Sequence, residues 1–259
     1  MIIKFSAPDN RRGCVVSAKN KKTNKMKGNL YLIPTTLGEQ QPADVIPARV
    51  LGIAATLRHF IVENTRTARR FLRAVDPEFP IDDSDFVELN EHTDLTTIGR
   101  YLDACDRGEH IGLMSEAGVP AVADPGNAAV QMAHSKGIRV VPLSGPSSII
   151  LAMMASGLNG QNFAFNGYLP VKPAERVKAI HGYEKRSLSE HQTQLFIEAP
   201  YRNMALFDDL LHNLRPETRL CIAADITLET EFILTLTIAE WHKHKPDLHK
   251  RPAIFAILA

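Results

Sequence analysis

No two glycines in this sequence stand at i and i+2, although 259 residues include 15 of them. A dinucleotide-binding G-x-G-x-x-G turn is therefore absent, and so is a G-x-x-x-x-G-K-[ST] phosphate loop. Neither the G-x-S-x-G nucleophile elbow nor the H-E-x-x-H zinc helix occurs. Cysteine is scarce as well. Cys14, Cys105 and Cys221 lie far apart with no CxxC, which argues against a disulfide framework or zinc ribbon and suits a reducing compartment. The ten histidines are scattered, and the closest pair, His242 and His244, sits in a polar segment. No metal site is expected. Long apolar runs are missing too, since Ile149–Ala155 and Ala253–Ala259 are seven residues each and a membrane span needs about 20. The expectation is a cytoplasmic protein that does not cross a bilayer.

What is present is an ordinary globular composition, 44% apolar and 23% charged, long enough for one large domain or two small ones. The net charge of +1 conceals an uneven distribution. Residues 1–27 carry Lys4, Arg11, Arg12, Lys19, Lys21, Lys22, Lys25 and Lys27 against Asp9 alone, so the remaining chain is mildly acidic. Such an arm can bind nucleic acid or anionic lipid, or be a solvated tail or an upstream extension, since Met26 stands just ahead of the first strand-like segment. It lacks the apolar stretch of an export signal.

From Asn29 onward short apolar runs alternate with amphipathic stretches. Leu30–Pro34, His59–Val62, Phe86–Leu89, His110–Met114 and Ile138–Pro142 read as strands. Pro47–Leu57, Thr65–Val75, Leu95–Cys105 and Ala128–His134 read as helices. This alternation predicts a mostly parallel sheet covered on both faces. Beyond it, Ser147–Ala155, Pro173–Leu188 and Asn203–Leu214 read as helices. Phe163–Phe165, Gln194–Ile197, Leu220–Ala223, Glu231–Thr237 and Ala253–Leu258 read as strands. The last three follow one another with little helix between, which predicts antiparallel pairing and a mixed sheet. Val141–Ser148, with two prolines and a glycine, is the expected hinge between domains at 28–142 and 143–259.

Gly112–Gly126 (GLMSEAGVPAVADPG) leaves a buried strand and at once places small residues at its carboxyl end, where open α/β sheets bind ligands. Ser115, Ala117 and Gly118 let a ligand approach the backbone. Glu116 favours a cationic one, such as an ammonium or sulfonium group. Asp124-Pro125 reads as a helix cap followed by an N1 proline. Arg66, Arg69, Arg70 and Arg73, at i, i+3, i+4 and i+7, fall on one helical face, either as phosphate contacts or as a solvated surface.

Six blocks in order, LYLIPTTLGE (30–39), HFIVENTRTARRFL (59–72), MSEAGVPAVADPG (114–126), VPLSGPSSIILAMMASGL (141–158), FAFNGYLP (163–170) and FIEAPYR (196–202), resemble the tetrapyrrole-methylase superfamily. Within it they are most similar to the ribosomal small-subunit methyltransferase I group. The resemblance implies two α/β domains with mixed, largely parallel sheets and S-adenosylmethionine folded in a cleft between them. It further implies 2′-O-methylation of a ribose of 16S rRNA, hence the small ribosomal subunit as partner, and a homodimer. Cofactor contacts then fall on Leu37, Gly38, Ser115, Glu116, Ala117, Gly118, Val119 and Ser144. Glu63 and Glu198, each ending a strand, are the expected proton acceptors, and Arg66, Arg69, Arg73, Lys172 and Arg202 the expected substrate contacts. The chain departs from the group's pattern at Thr36-Leu37-Gly38-Glu39, at Asn64 within Glu63-Asn64-Thr65-Arg66, and at Ala224 and Leu228. A methylase of a tetrapyrrole-like small molecule and a catalytically inactive cofactor-binding relative remain the alternatives.

Overall fold

The computed structural model describes residues 27–90, 93 and 99–259. The basic arm before Lys27, and residues 95–98 of the expected helix Leu95–Cys105, lie outside the described residues. The first half alternates strand and helix: β1 (Asn29–Leu32), α1 (Pro42–Val45), α2 (Ala48–Thr56), β2 (His59–Val62), α3 (Thr65–Val75), β3 (Asp85–Glu88), α4 (Asp103–Asp106), β4 (Ile111–Met114), α5 (Gly126–Ser135) and β5 (Arg139–Pro142). Its strands form an all-parallel sheet in the order β3-β2-β4-β1-β5. Apolar side chains go to both faces, as a sheet covered twice requires. Ile33, Val50, Phe60, Phe71 and Phe79 pack under α1–α3. Leu30, Ile61, Leu113, Ala129 and Ala133 pack under α5 on the other side.

The second half runs α6 (Ser148–Ser156), β6 (Phe163–Tyr168), α7 (Pro173–Glu190), β7 (Thr193–Ile197), a 3-10 turn (Pro200–Arg202), α8 (Asn203–Asn213), β8 (Arg219–Ala224), β9 (Phe232–Thr237), α9 (Ile238–Trp241) and β10 (Ala253–Leu258). The sheet order is β6-β7-β10-β8-β9, with only β6 and β7 parallel. The fold is α/β with one parallel and one mixed sheet, as the element pattern predicts. One pairing differs from simple succession: β10 inserts between β7 and β8 instead of joining β9. All six of its residues are buried, which only an interior position of the sheet provides, whereas every residue of β9 is partly exposed, as an edge allows. Alternation along β8 and β10 divides their side chains by face. Leu220, Ile222, Phe255 and Ile257 point to α7–α9, and Cys221, Ala223, Ile254 and Ala256 point to α6.

Phe196 stacks between Tyr183 and Phe255, with ring centroids 6.1 and 6.0 Å away, and is wholly buried. Phe196→Ala is expected to lower the unfolding free energy by about 3–5 kcal/mol, read from the midpoint and slope of urea denaturation.

Candidate active site

β1 and β4 are neighbours in the parallel sheet, yet their chains leave in opposite directions. The segment after β1 feeds the α1–α3 face and the segment after β4 feeds the α5 face. That divergence opens a crevice at the carboxyl ends of the strands, the usual ligand position in such sheets. The ends of β6, β7 and β8 and the start of β10 close it from the other side. The result is a cleft of about 320 Å³, near the lower bound of roughly 300–1,000 Å³ for small-molecule pockets. Leu37, Ser115, Glu116 and Ala117 wall it from the parallel sheet. Phe165, Tyr168, Ile197, Ile226 and Ile254 wall it from the mixed sheet.

Local chemistry shapes each wall. Gly118 turns in the left-handed region (φ 73°), which glycine adopts without strain. The buried Thr35 ties this turn to the first loop, its amide donating to the Gly118 carbonyl at 2.9 Å. Ala121 and Ala123 also have positive φ, 66° and 64°, conformations that cost an L-residue energy and cluster at functional sites. Asp124 holds the first of them. Its carboxylate accepts from the Ala121 amide at 2.9 Å and the Gly126 amide at 2.7 Å. The Gly126 bond caps the entry to the helix, whose regular part starts at Gly126 after Pro125, and the Ala121 bond is a second role that the pattern does not show. Burial raises the Asp124 pKa, the Gly126 and Ala121 amides oppose that, and the nearby Glu63 charge adds to it. Asn64 is itself a cap, its Oδ1 accepting from the Thr67 amide at 3.1 Å to start α3. The β6–β7 register shifts between Phe165 and Tyr168, with Gly167 at φ 67°. The bulge re-aims both rings, and both line the cleft.

The first loop crosses to the second half. A Cβ on Gly38 would lie 2.7 Å from Leu228 Cδ1, so any larger residue would have to displace the Leu228 side chain. Gln40 Nε2 donates to Thr227 Oγ1 at 2.9 Å, and Leu37 packs on the α6-side core of the mixed sheet.

The electrostatics are one-sided. Glu63, Glu116, Asp124, Glu198 and Asp225 line the cleft, and no Lys, Arg or His is among its described lining residues. Glu63 Oε2 accepts from the Glu116 amide at 3.1 Å. The Glu198 side chain is fully buried and pairs through Oε1 with Arg202. Its Oε2, Arg202 Nε and Asn203 Oδ1 are buried with no hydrogen-bond partner among the described residues. Asp225 is anchored by Arg251 Nε at 2.7 Å. An apolar cleft edged with carboxylates fits a cofactor that carries a sulfonium and an ammonium group, and repels a polyanion.

Of the residues singled out in the sequence, Leu37, Glu63, Ser115, Glu116, Ala117 and Glu198 meet at this cleft. Gly38 lines an adjoining cavity, Gly118 forms the turn behind the wall, and Val119 and the exposed Ser144 are not among the lining residues. Arg66, Arg69 and Arg73 are exposed on α3. Arg69 lies 5.1 Å from the Phe86 ring centroid, and Arg73 Nη1 donates to the Pro77 carbonyl. Arg202 is held by Glu198, and the exposed Lys172 pairs with Glu175 at 3.3 Å. Sequence reasoning missed Phe165, Tyr168, Asp225 and Leu228. Gly167 inside a strand pattern is a bulge signal that could have found the two aromatics.

No family model matches the chain. It is 31% identical over 215 residues to the ribosomal RNA small subunit methyltransferase I of Pseudomonas aeruginosa, covering 83% of this chain and 72% of that one. It is 32% identical over 211 residues to the Vibrio cholerae protein of the same name, covering 82% and 69%. Among solved structures, the methyltransferase CobJ superposes with a TM-score of 0.60 at 15% identity, over 89% of this chain and 94% of that one. Uroporphyrin-III C-methyltransferase from Thermus thermophilus, solved with S-adenosylhomocysteine, gives 0.52 at 17% identity, over 89% and 97%. Fold and site together define an S-adenosylmethionine-dependent methyltransferase with the tetrapyrrole-methylase architecture. More narrowly, the chain belongs to the ribosomal RNA small subunit methyltransferase I family.

Asp124→Ala is expected to leave two amides unpaired and cost about 1–3 kcal/mol of stability, measured by urea unfolding. The wild-type carboxyl binds its proton more tightly folded than unfolded. Its contribution is therefore most favourable in acid and is lost as pH rises through the raised pKa. Asp124→Asn, which cannot ionise, should show a smaller loss of stability than wild type between acid and neutral pH.

Proposed function

We propose that the chain methylates a ribose 2′-hydroxyl of small-subunit (16S) rRNA, working in the cytoplasm on the small ribosomal subunit. The single observation that carries the cofactor assignment is the apolar cleft with five carboxylates, Glu63, Glu116, Asp124, Glu198 and Asp225, and no basic side chain among its described lining residues. The names of the relatives and the arginine face of α3 support the RNA acceptor. Bound S-adenosylmethionine supplies an electrophilic methyl group. Everything else is asked of this chain.

In this reading the backbone of Ser115–Gly118, with Leu37 and Gly38, holds the cofactor, and Phe165, Ile197 and Ile254 exclude water from it. Orienting an acceptor against a donor contributes up to about 7–11 kcal/mol in favourable models. A hydroxyl is a weak nucleophile, and Glu63 takes its proton. Glu63 suits this role better than Glu198, because its carboxylate is half-exposed on the cleft whereas that of Glu198 is buried against Arg202. Glu198 is then a positioning residue that fixes Arg202 and the 3-10 turn. Arg66, Arg69, Arg73, Lys172 and Arg202 contribute phosphate attraction around the rim. Residues 28–142 and 143–259 act as two domains meeting at the cofactor. The exposed Ile150, Met154 and Phe163 border a groove of about 320 Å³, and burying it in a homodimer is part of the same reading.

The test is transfer of labelled methyl groups to unmodified small subunits. Wild type should incorporate label, and no incorporation overturns the reading. Glu63→Gln should lower kcat about 100-fold or more, while calorimetric cofactor affinity stays within about threefold.

A further inference from the structure

The first loop separates the cofactor cleft from a second, larger cavity of about 580 Å³. The two share Leu37, Glu116 and Ala117 as common wall. Ligands on the two sides of that wall lie next to one another, and Ala117 contributes only a methyl group to the separation. The chemical character changes across it. The second cavity is also edged by carboxylates, Glu39 and the shared Glu116, but adds the hydroxyls of Thr36 and Thr67, the Gln41 amide and a cation that the cleft lacks, Arg70. Phe71 and Ala74 give it an apolar floor.

Arg70 differs from its neighbours on α3. Arg69 is laid over Phe86 and Arg73 is bonded to the Pro77 carbonyl. Arg70 lines the cavity and, among the described residues, meets only a loose partner, Glu39 Oε1 at 3.5 Å, with the two side chains 64% and 95% exposed. Exposed pairs of this kind hold weakly. A phosphate that accepts two parallel hydrogen bonds from a guanidinium competes effectively for it.

We infer that this second cavity is the acceptor pocket: it takes one nucleotide of a single-stranded RNA, with the phosphate on Arg70 in place of Glu39 and the ribose toward the shared wall. The inference rests on the methyltransferase reading and adds where the acceptor sits and what admits it. Neutral hydrogen-bonding groups suit ribose hydroxyls and a base edge, the cation suits the phosphodiester, and the carboxylates of the neighbouring cleft keep the RNA backbone out of the cofactor site. Glu39 is then a placeholder carboxylate, so its removal should help RNA binding, whereas removal of Arg70 should harm it.

The test measures binding of a fluorescent single-stranded RNA of about ten nucleotides to the full chain saturated with S-adenosylhomocysteine. Four proteins are compared: wild type, Arg70→Ala, Glu39→Gln and Arg139→Ala. Arg139 supplies a charge control, being exposed at the start of β5, the end of the sheet away from the cleft. Arg70→Ala should weaken binding about tenfold and reduce the salt slope by about one. Glu39→Gln should tighten binding about two- to threefold, and Arg139→Ala should stay within about twofold of wild type. Calorimetric affinity for S-adenosylhomocysteine should be unchanged in all variants, which shows that they are folded. Loss in Arg70→Ala no larger than in Arg139→Ala, no tightening in Glu39→Gln, or no RNA binding by wild type overturns the acceptor pocket. Arg70-dependent binding without methyl transfer to unmodified small subunits overturns the rRNA reading instead and leaves the pocket standing.

Discussion

The site depends on one close approach, that of the loop after β1 to the loop after β8. Gly38 comes so near Leu228 that a Cβ would collide at 2.7 Å, while Gln40 bonds Thr227 and Leu37 packs on the α6-side core of the mixed sheet. Two separately cored sheets thereby share a wall. Without that contact the carboxyl ends of the parallel strands would face solvent, and neither the cofactor cleft nor the cavity beside it would be enclosed. Strain follows the same geography. Ala123 and Asp225, which line the cleft, and the neighbouring Ala121 and Thr227 all hold positive φ. Two of these conformations are held by a nearby polar group, Asp124 for Ala121 and Arg251 for Asp225.

Charge is sorted across that wall. Carboxylates gather on the side that suits a sulfonium, and the one cavity-lining arginine of α3 stands on the side that suits a phosphate. A chain with nearly balanced charge thus places that arginine a loop's thickness from a cleft lined by carboxylates.

Much of this was legible in the sequence. The apolar runs located the strands because a parallel sheet buried on both faces demands near-continuous β-branched and aromatic segments. The small residues after β4 marked the ligand loop because backbone must come close there. Readings were incomplete where a residue's local role had two solutions. Asp124 bonds the Gly126 amide at the helix entry as its pattern predicts, but its carboxylate also restrains the strained Ala121, a role that spacing does not show. Glu63 and Glu198 look alike, each ending a strand, yet a basic residue four positions after Glu198 turns inward and takes its carboxylate. Arg70 is indistinguishable in spacing from Arg66, Arg69 and Arg73, and only the path of the first loop gives it a cavity.

The sequence by itself determined the strand and helix order, the α/β class and the family, because periodicity and short ordered motifs are local properties that survive without coordinates. The tertiary structure alone decided which side of the sheet β10 joins, which carboxylate stays free, and which arginine meets a pocket. The neighbours of β10 and the cavity met by Arg70 turn on distances between segments some 30 to 190 residues apart, such as Gln40 to Thr227 and Arg70 to Glu39, while the pairing of Glu198 turns on which way Arg202 faces. Burial of apolar strands sets these distances, and nothing in the residues flanking each side chain encodes them.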